Sequence, residues 1–145
     1  MCDSFKSELM SGLHALGTTV VRGATTADTI KAALFLTSAT IDHTTTAYSS
    51  TNEVSGTGYS AGGITVTNAT APTLSSTTAV WTPSASLVYT TVTLTTSFNA
   101  VLIYNSTQSN RAISVHTFGA QTITAGTFTL TMPTNDSSNA LLRIA

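Results

Sequence analysis

The chain has 145 residues, of which 8% are charged, a formal net charge of −1 and one cysteine. That length can bury a core without disulfides or a structural metal. The five cations, Lys6, Arg22, Lys31, Arg111 and Arg143, are too scattered for a phosphate-binding patch, and the lone Cys2 excludes an intrachain disulfide and a cysteine metal site.

Threonine and serine stand where an ordinary soluble domain carries charge, which suits a β-protein: Thr packs on a sheet like Val while its hydroxyl faces water. Low charge also leaves little repulsion to oppose association with other chains. The first residues include Asp3 and Glu8 and no continuous apolar run, so the expectation is synthesis in a cytoplasm without a secretory leader. No apolar stretch approaches the length of a membrane span.

Residues 3–16, DSFKSELMSGLHAL, predict a short helix. Phe5, Leu9, Leu13 and Leu16 recur at helical spacing, Asp3 or Ser4 caps the start, and Gly17 stops it. A helix this short is marginal alone, so its stripe docks either on its own domain or on a neighbouring subunit. Residues 1–17 are thus read as a helical arm and 18–145 as the main domain. After a small-residue linker, 28–39 (DTIKAALFLTSA) would accept a helix at Ala32, Ala33 and Leu34, but Ile30, Phe35, Leu36 and the Thr run that follows favour a strand. Residues 40–59 form a long polar connection ending in NEVSGTGYSAGG (52–63), where the glycines specify a loop.

From Ile64 onward the pattern is all β. Short strands are expected around Ile64–Val66 and Ala79–Trp81, with Pro72 and Pro83 as stops, and then over 88–96. The stretch 98–118 (FNAVLIYNSTQSNRAISVHTF) predicts a hairpin: Val101 to Tyr104 suit a buried strand, Asn105 to Asn110 reverse the chain, and Ile113, Val115 and Thr117 alternate with Ala112, Ser114 and His116. Over 121–132 the pattern predicts a further strand pair turning at Ala125–Gly126, and 140–145 a terminal strand. Several short strands without βαβ alternation imply a mainly β chain: one antiparallel β-sandwich or jelly-roll-like domain preceded by the helix.

Chemistry is sparse. GTGYSAGG has the wrong glycine spacing for a phosphate loop and lacks the Lys-Ser/Thr that would follow. His14, His43 and His116 stand in no nucleophile motif, and the six carboxylates show no paired spacing. TNDSSN (134–139) offers oxygen ligands but reads better as a hydrogen-bonded turn. No active site, cofactor or metal is expected. Within 52–59, Asn52, Glu53, Gly56, Gly58 and Tyr59 are expected to form a structural clasp, with Glu53 pairing to Arg111 on the central hairpin. Trp81, flanked by Val80, Thr82 and Pro83, is expected to anchor a core or an interface.

Four stretches, DTIKAALFLTSAT (28–40), TTAYSSTNEVSGTGYSAGG (45–63), AVLIYNSTQSNRAI (100–113) and FTLTMPTNDSSNALLRIA (128–145), together resemble a family of small tailed-bacteriophage virion proteins. Shared features are the opening strand, a Tyr-x-x-x-Asn-Glu-Val-x-Gly-x-Gly-Tyr loop, an Ala-hydrophobic-Ile-Tyr-Asn strand and an Ala-Leu-Leu-Arg-Ile end. The Thr/Ser-rich middle, 67–96, and the N-terminal helix depart from the pattern. The resemblance implies a capsid decoration (cement) protein on the outer surface of the head, made in the host cytoplasm, with the major capsid protein as partner and neither nucleic acid nor membrane. Low charge and the arm's stripe suggest a homo-oligomer, with a trimer as the form that suits three-fold capsid sites. The alternative is a tail or head-fibre adhesin that binds a host surface glycan; a polysaccharide-degrading enzyme comes third for want of paired acids.

Overall fold

The structure is a computed structural model that describes residues 10–12, 27–67 and 71–145. The expected arm, with Phe5, Leu9, Leu13, His14 and Leu16, lies outside the described residues. The chain is mainly β, and every strand pairing is antiparallel. It divides into two compact units, one made of Asp28–Val66 and Ser86–Leu130, the other including Thr67–Ala85 and Thr131–Ala145.

The larger unit holds β1 (Ile30–Leu36), β2 (Ile64–Thr65), β5 (Leu87–Asn105) and β6 (Arg111–Leu130), in the sheet order β2-β1-β5-β6. β1 settles the helix-or-strand ambiguity of 28–39. Its Ala32, Ala33, Leu34 and Phe35 are all buried, as are Ala100 to Tyr104 opposite, so both faces of the sheet centre are covered. A continuous apolar run is what such a strand requires. On one face Ala33, Phe35, Ala100, Leu102 and Tyr104 form a cluster, with Ala39, Ile41, Tyr48, Ala112 and Val115 packed against it.

The hairpin is about twice as long as 98–118 suggests, because β5 and β6 stay paired from Asn105–Arg111 out to Leu87–Leu130. Bulges keep them in step. From Tyr89 to Val92 β5 advances three residues against two on β6, and from Val92 to Leu94 two against three. The same exchange, four against two and then two against four, recurs across Leu94, Phe98 and Ala100. The expected turn at Ala125–Gly126 is one of these bulges: Ala125 has φ 47° and Gly126 faces Val92. A small-residue pair reads locally as a reversal, but here it absorbs an extra residue. Phe98, Phe118 and Phe128 meet across the extended ladder, with Phe98 edge-on to Phe128 at 5.0 Å between ring centroids.

The tip of the hairpin is tied to the chain just before β1. Asn105 Nδ2 and Gln108 Nε2 donate to the Asp28 carboxylate, Ser106 donates twice to the Thr29 carbonyl, and Thr29 N donates to Thr107 Oγ1. Asn105 Oδ1 also accepts from the amides of Thr107 and Gln108, the self-bonding expected of a polar turn.

In the smaller unit β3 (Thr73–Ser75), β4 (Thr78–Trp81) and β7 (Leu142–Ile144) pair in the order β3-β4-β7. β4 is buried along its length, and Trp81, 6% exposed, is a core ring within the chain. β3 carries only Thr-Leu-Ser after Pro72 and gives no alternation by which to foresee it. Residues 134–139 form a turn around Asp136, whose carboxylate accepts from Thr134 Oγ1, the amides of Ser138 and Asn139, and Asn139 Nδ2. Arg143 Nη1 donates to the carbonyls of Ser137 and Ser138. The oxygen-rich sequence is therefore spent on its own turn.

These donors, the Thr134 hydroxyl first, hold the Asp136 carboxyl well below its ordinary 3.8. A depressed folded pKa adds stability that is complete above the unfolded value and is lost as pH falls through the folded one. Urea midpoints taken at intervals from pH 5 to pH 2 should thus fall less steeply in Asp136→Asn than in the parent below pH 3.8.

Candidate functional site

The most organised polar cluster in the larger unit lies under the loop 47–63, against β1. Glu53 is its centre. It is 9% exposed and forms an isolated bridge with Phe35. Glu53 Oε2 accepts from the Tyr48 hydroxyl at 2.7 Å; Oε1 accepts from the Tyr59 hydroxyl at 2.7 Å and from Gly62 N at 2.8 Å. A buried carboxylate needs such donors, since water no longer supplies them.

All four tyrosines of the chain join this cluster. Tyr59 Oη also accepts from Leu34 N, Tyr104 Oη donates to Gly62 O, and Tyr89 Oη donates to Ala32 O. Tyr48 stacks on Tyr104 with centroids 4.6 Å apart and planes 10° apart, while Tyr59 lies over Tyr89 at 5.9 Å. No buried side-chain nitrogen or oxygen among the described residues lacks a partner.

The loop also completes the sheet. Leu36 N donates to Asn52 O and Val54 N to Leu34 O, so 52–54 pairs along β1 where β2 stops short. Asn52 adopts φ 59°, a left-handed conformation that asparagine tolerates. Residues 56–58 then run beside β5, with Thr93 N donating to Thr57 O. A Cβ on Gly56 would lie 2.0 Å from Thr93 O, and one on Gly58 2.3 Å from Thr91 O. The Gly-x-Gly spacing is a condition of backbone approach, not of phosphate binding.

The expected Glu53–Arg111 pair is not made, because both Glu53 oxygens are taken by tyrosine and backbone donors. Arg111 stands at the start of β6, exposed, and holds the loop by main chain: it bridges Ala47, while Tyr48 N donates to Asn110 O and Ala112 N to Thr46 O. Asn52, Glu53, Gly56, Gly58 and Tyr59 do meet in one loop. Tyr48, Gly62, Tyr89 and Tyr104 complete it, and sequence reasoning did not assign them. Confinement of every tyrosine to two loop positions and two strand positions was the available signal.

Burial, and after it the Glu53 carboxylate, pushes Tyr48 and Tyr59 far above the ordinary 10.0; Tyr89 and Tyr104 are raised by burial and the same charge. A raised folded pKa means stability that is whole below the unfolded value and declines as pH rises past it. Phenolate absorbance at 295 nm should therefore stay flat through pH 10 and then rise together with the loss of β-structure by circular dichroism. A separate rise near pH 10 in folded protein would show an open cluster.

Catalytic geometry is thin elsewhere. His116 Nε2 lies 3.0 Å from Ser114 Oγ on β6, and burial lowers the His116 pKa, but no described group orients the ring as a catalytic base requires. Among the described residues, no three His, Cys, Asp or Glu side chains are grouped to hold a metal, and no helix is long and apolar enough to cross a membrane. Comparison with family models, curated proteins and solved structures returned no match.

Proposed function

We propose that the chain is a structural protein of a tailed-phage virion, a decoration or cement protein that binds the outer surface of the head through the major capsid protein and has no catalytic role. The observation that carries this reading is how the residues behind the family resemblance are used. Tyr48, Asn52, Glu53, Val54, Gly56, Gly58 and Tyr59 are engaged in closing the sheet of the larger unit, and the Ala100–Asn105 stretch is the strand they close upon. Such a motif specifies a rigid body and leaves no reactive group to a substrate. Rigidity with low charge suits a protein whose work is adhesion to a shell.

The test is binding of the purified chain to expanded, undecorated heads of the phage that encodes it, with copy number measured in purified virions. Saturable binding with hundreds of copies per particle supports decoration. A few copies per particle, no binding to heads, or binding to host-cell glycans would overturn it, the last in favour of a fibre adhesin.

A further inference from the structure

We propose that the outer edge of β6 is a self-association surface, pairing antiparallel with the same edge of a second copy about a two-fold axis. β6 ends the sheet order of the larger unit. The loop reaches its outer edge only at Arg111 and Ala112; from Ile113 to Leu130 no described residue pairs with it except β5 on the inner side. Unpaired N–H and C=O groups along such an edge form a template for another strand.

Three features select a second copy as the occupant. First, residues 113–130 contain no Asp, Glu, Lys, Arg or Pro, so the segment meets itself without like-charge repulsion and without a missing donor. Second, length must match. β2, β3 and β7 have only two, three and three residues, β1's outer edge is occupied by β2 and 52–54, and β5's edge away from β6 is paired with β1 as far as Phe98 and met by Thr57 at Thr93, so β6 is the longest unpaired edge among the described residues. Third, Ile113 is exposed and Val115, Phe118 and Ile123 are only half-buried, apolar groups that a paired strand would cover. Bulges interrupt the ladder on either side of Ser114–Thr117, so the regular stretch at the centre of the pairing is Ser114–Thr117. A pairing of identical edges is isologous and gives even-numbered assemblies, unlike the three-fold form expected from the arm.

The experiment is light scattering on the full chain after size exclusion, with Ile113→Lys and Thr117→Lys on the exposed edge and Thr95→Lys, exposed on β5, as the control for added charge. The parent and the control should show twice the chain mass of 14.9 kDa, and both edge variants should fall to the chain mass with unchanged circular dichroism. Amide exchange of the parent serves if a variant fails to fold: protection over 114–117 should increase with concentration. A monomeric or trimeric parent, a dimer that survives both edge substitutions, a dimer lost equally in the control, or concentration-independent exchange over 114–117 each overturns the proposal. The proposal does not depend on the virion reading, which head binding tests separately.

Discussion

Glu53→Ala is expected to lower stability by roughly 3–5 kcal/mol, since it removes the acceptor of three donors, each costing about 1–3 kcal/mol when left buried and unpaired. Tyr48 is the most exposed of the three and recovers part of its loss from water. Glu53→Gln should cost much less, about 1–2 kcal/mol. Its carbonyl can keep Tyr59 and Gly62, and its amide can donate to Tyr48 Oη, which turns from donor to acceptor. Urea midpoints for both variants, with Arg111→Met beside them, check the assignment. Equal losses for Ala and Gln, or a loss for Arg111→Met as large as for Glu53→Ala, would return the clasp to an ion pair.

A larger effect is expected at Gly63. An added Cβ would sit 1.8 Å from Ala32 O and 2.5 Å from the carbonyl carbon, and the residue has φ 69°. Both obstacles are backbone, in the strand at the centre of the core, so no side chain can swing aside. Gly63→Ala should therefore cost roughly 4 kcal/mol or more, in the range where single substitutions abolish folding of a marginal domain. Gly119→Ala is the internal control: nothing lies within 4 Å of its Cβ and its φ is not left-handed, so it should be neutral or raise stability by up to about 1 kcal/mol. Soluble yield and urea midpoint of the two variants make the comparison.

The parts of this fold legible in sequence are those that local pattern determines. Val101 to Tyr104 announce a buried strand and Asn105 to Asn110 the reversal, whereas Ala32 to Leu34 would also accept a helix and only Ile30, Phe35, Leu36 and the Thr run favour the strand that forms. The glycines of 56–63 announce a loop held against backbone. What was not legible depends on distance along the chain. Cations are the usual partners of acids, so local pattern points Glu53 to Arg111; its actual donors are the phenols of Tyr48 and Tyr59 and the amide of Gly62, with Tyr104 secured to that glycine 42 residues away. The bulges were hidden for a related reason. Thr91 and Ala125, both left-handed, offset one another across the ladder, and neither position alone carries the glycine that usually marks such a backbone.

The attachment of the hairpin tip to Asp28 has a consequence for synthesis. Asp28 and Asn105 are 77 residues apart, and β1 is paired along its whole length only by the distant β5, so the contact order of this unit is high and its folding correspondingly slow. At about 5–20 residues per second, β1 leaves the ribosome roughly 4–15 s before the strand that covers it. For that interval Ala32 to Phe35 lack the strand that covers them, and the loop that seals their edge lacks the bonds of Tyr89 to Ala32 O and of Tyr104 to Gly62 O. Faster translation through residues 40–100 should therefore raise the soluble fraction of the expressed chain, measured beside the parent coding sequence.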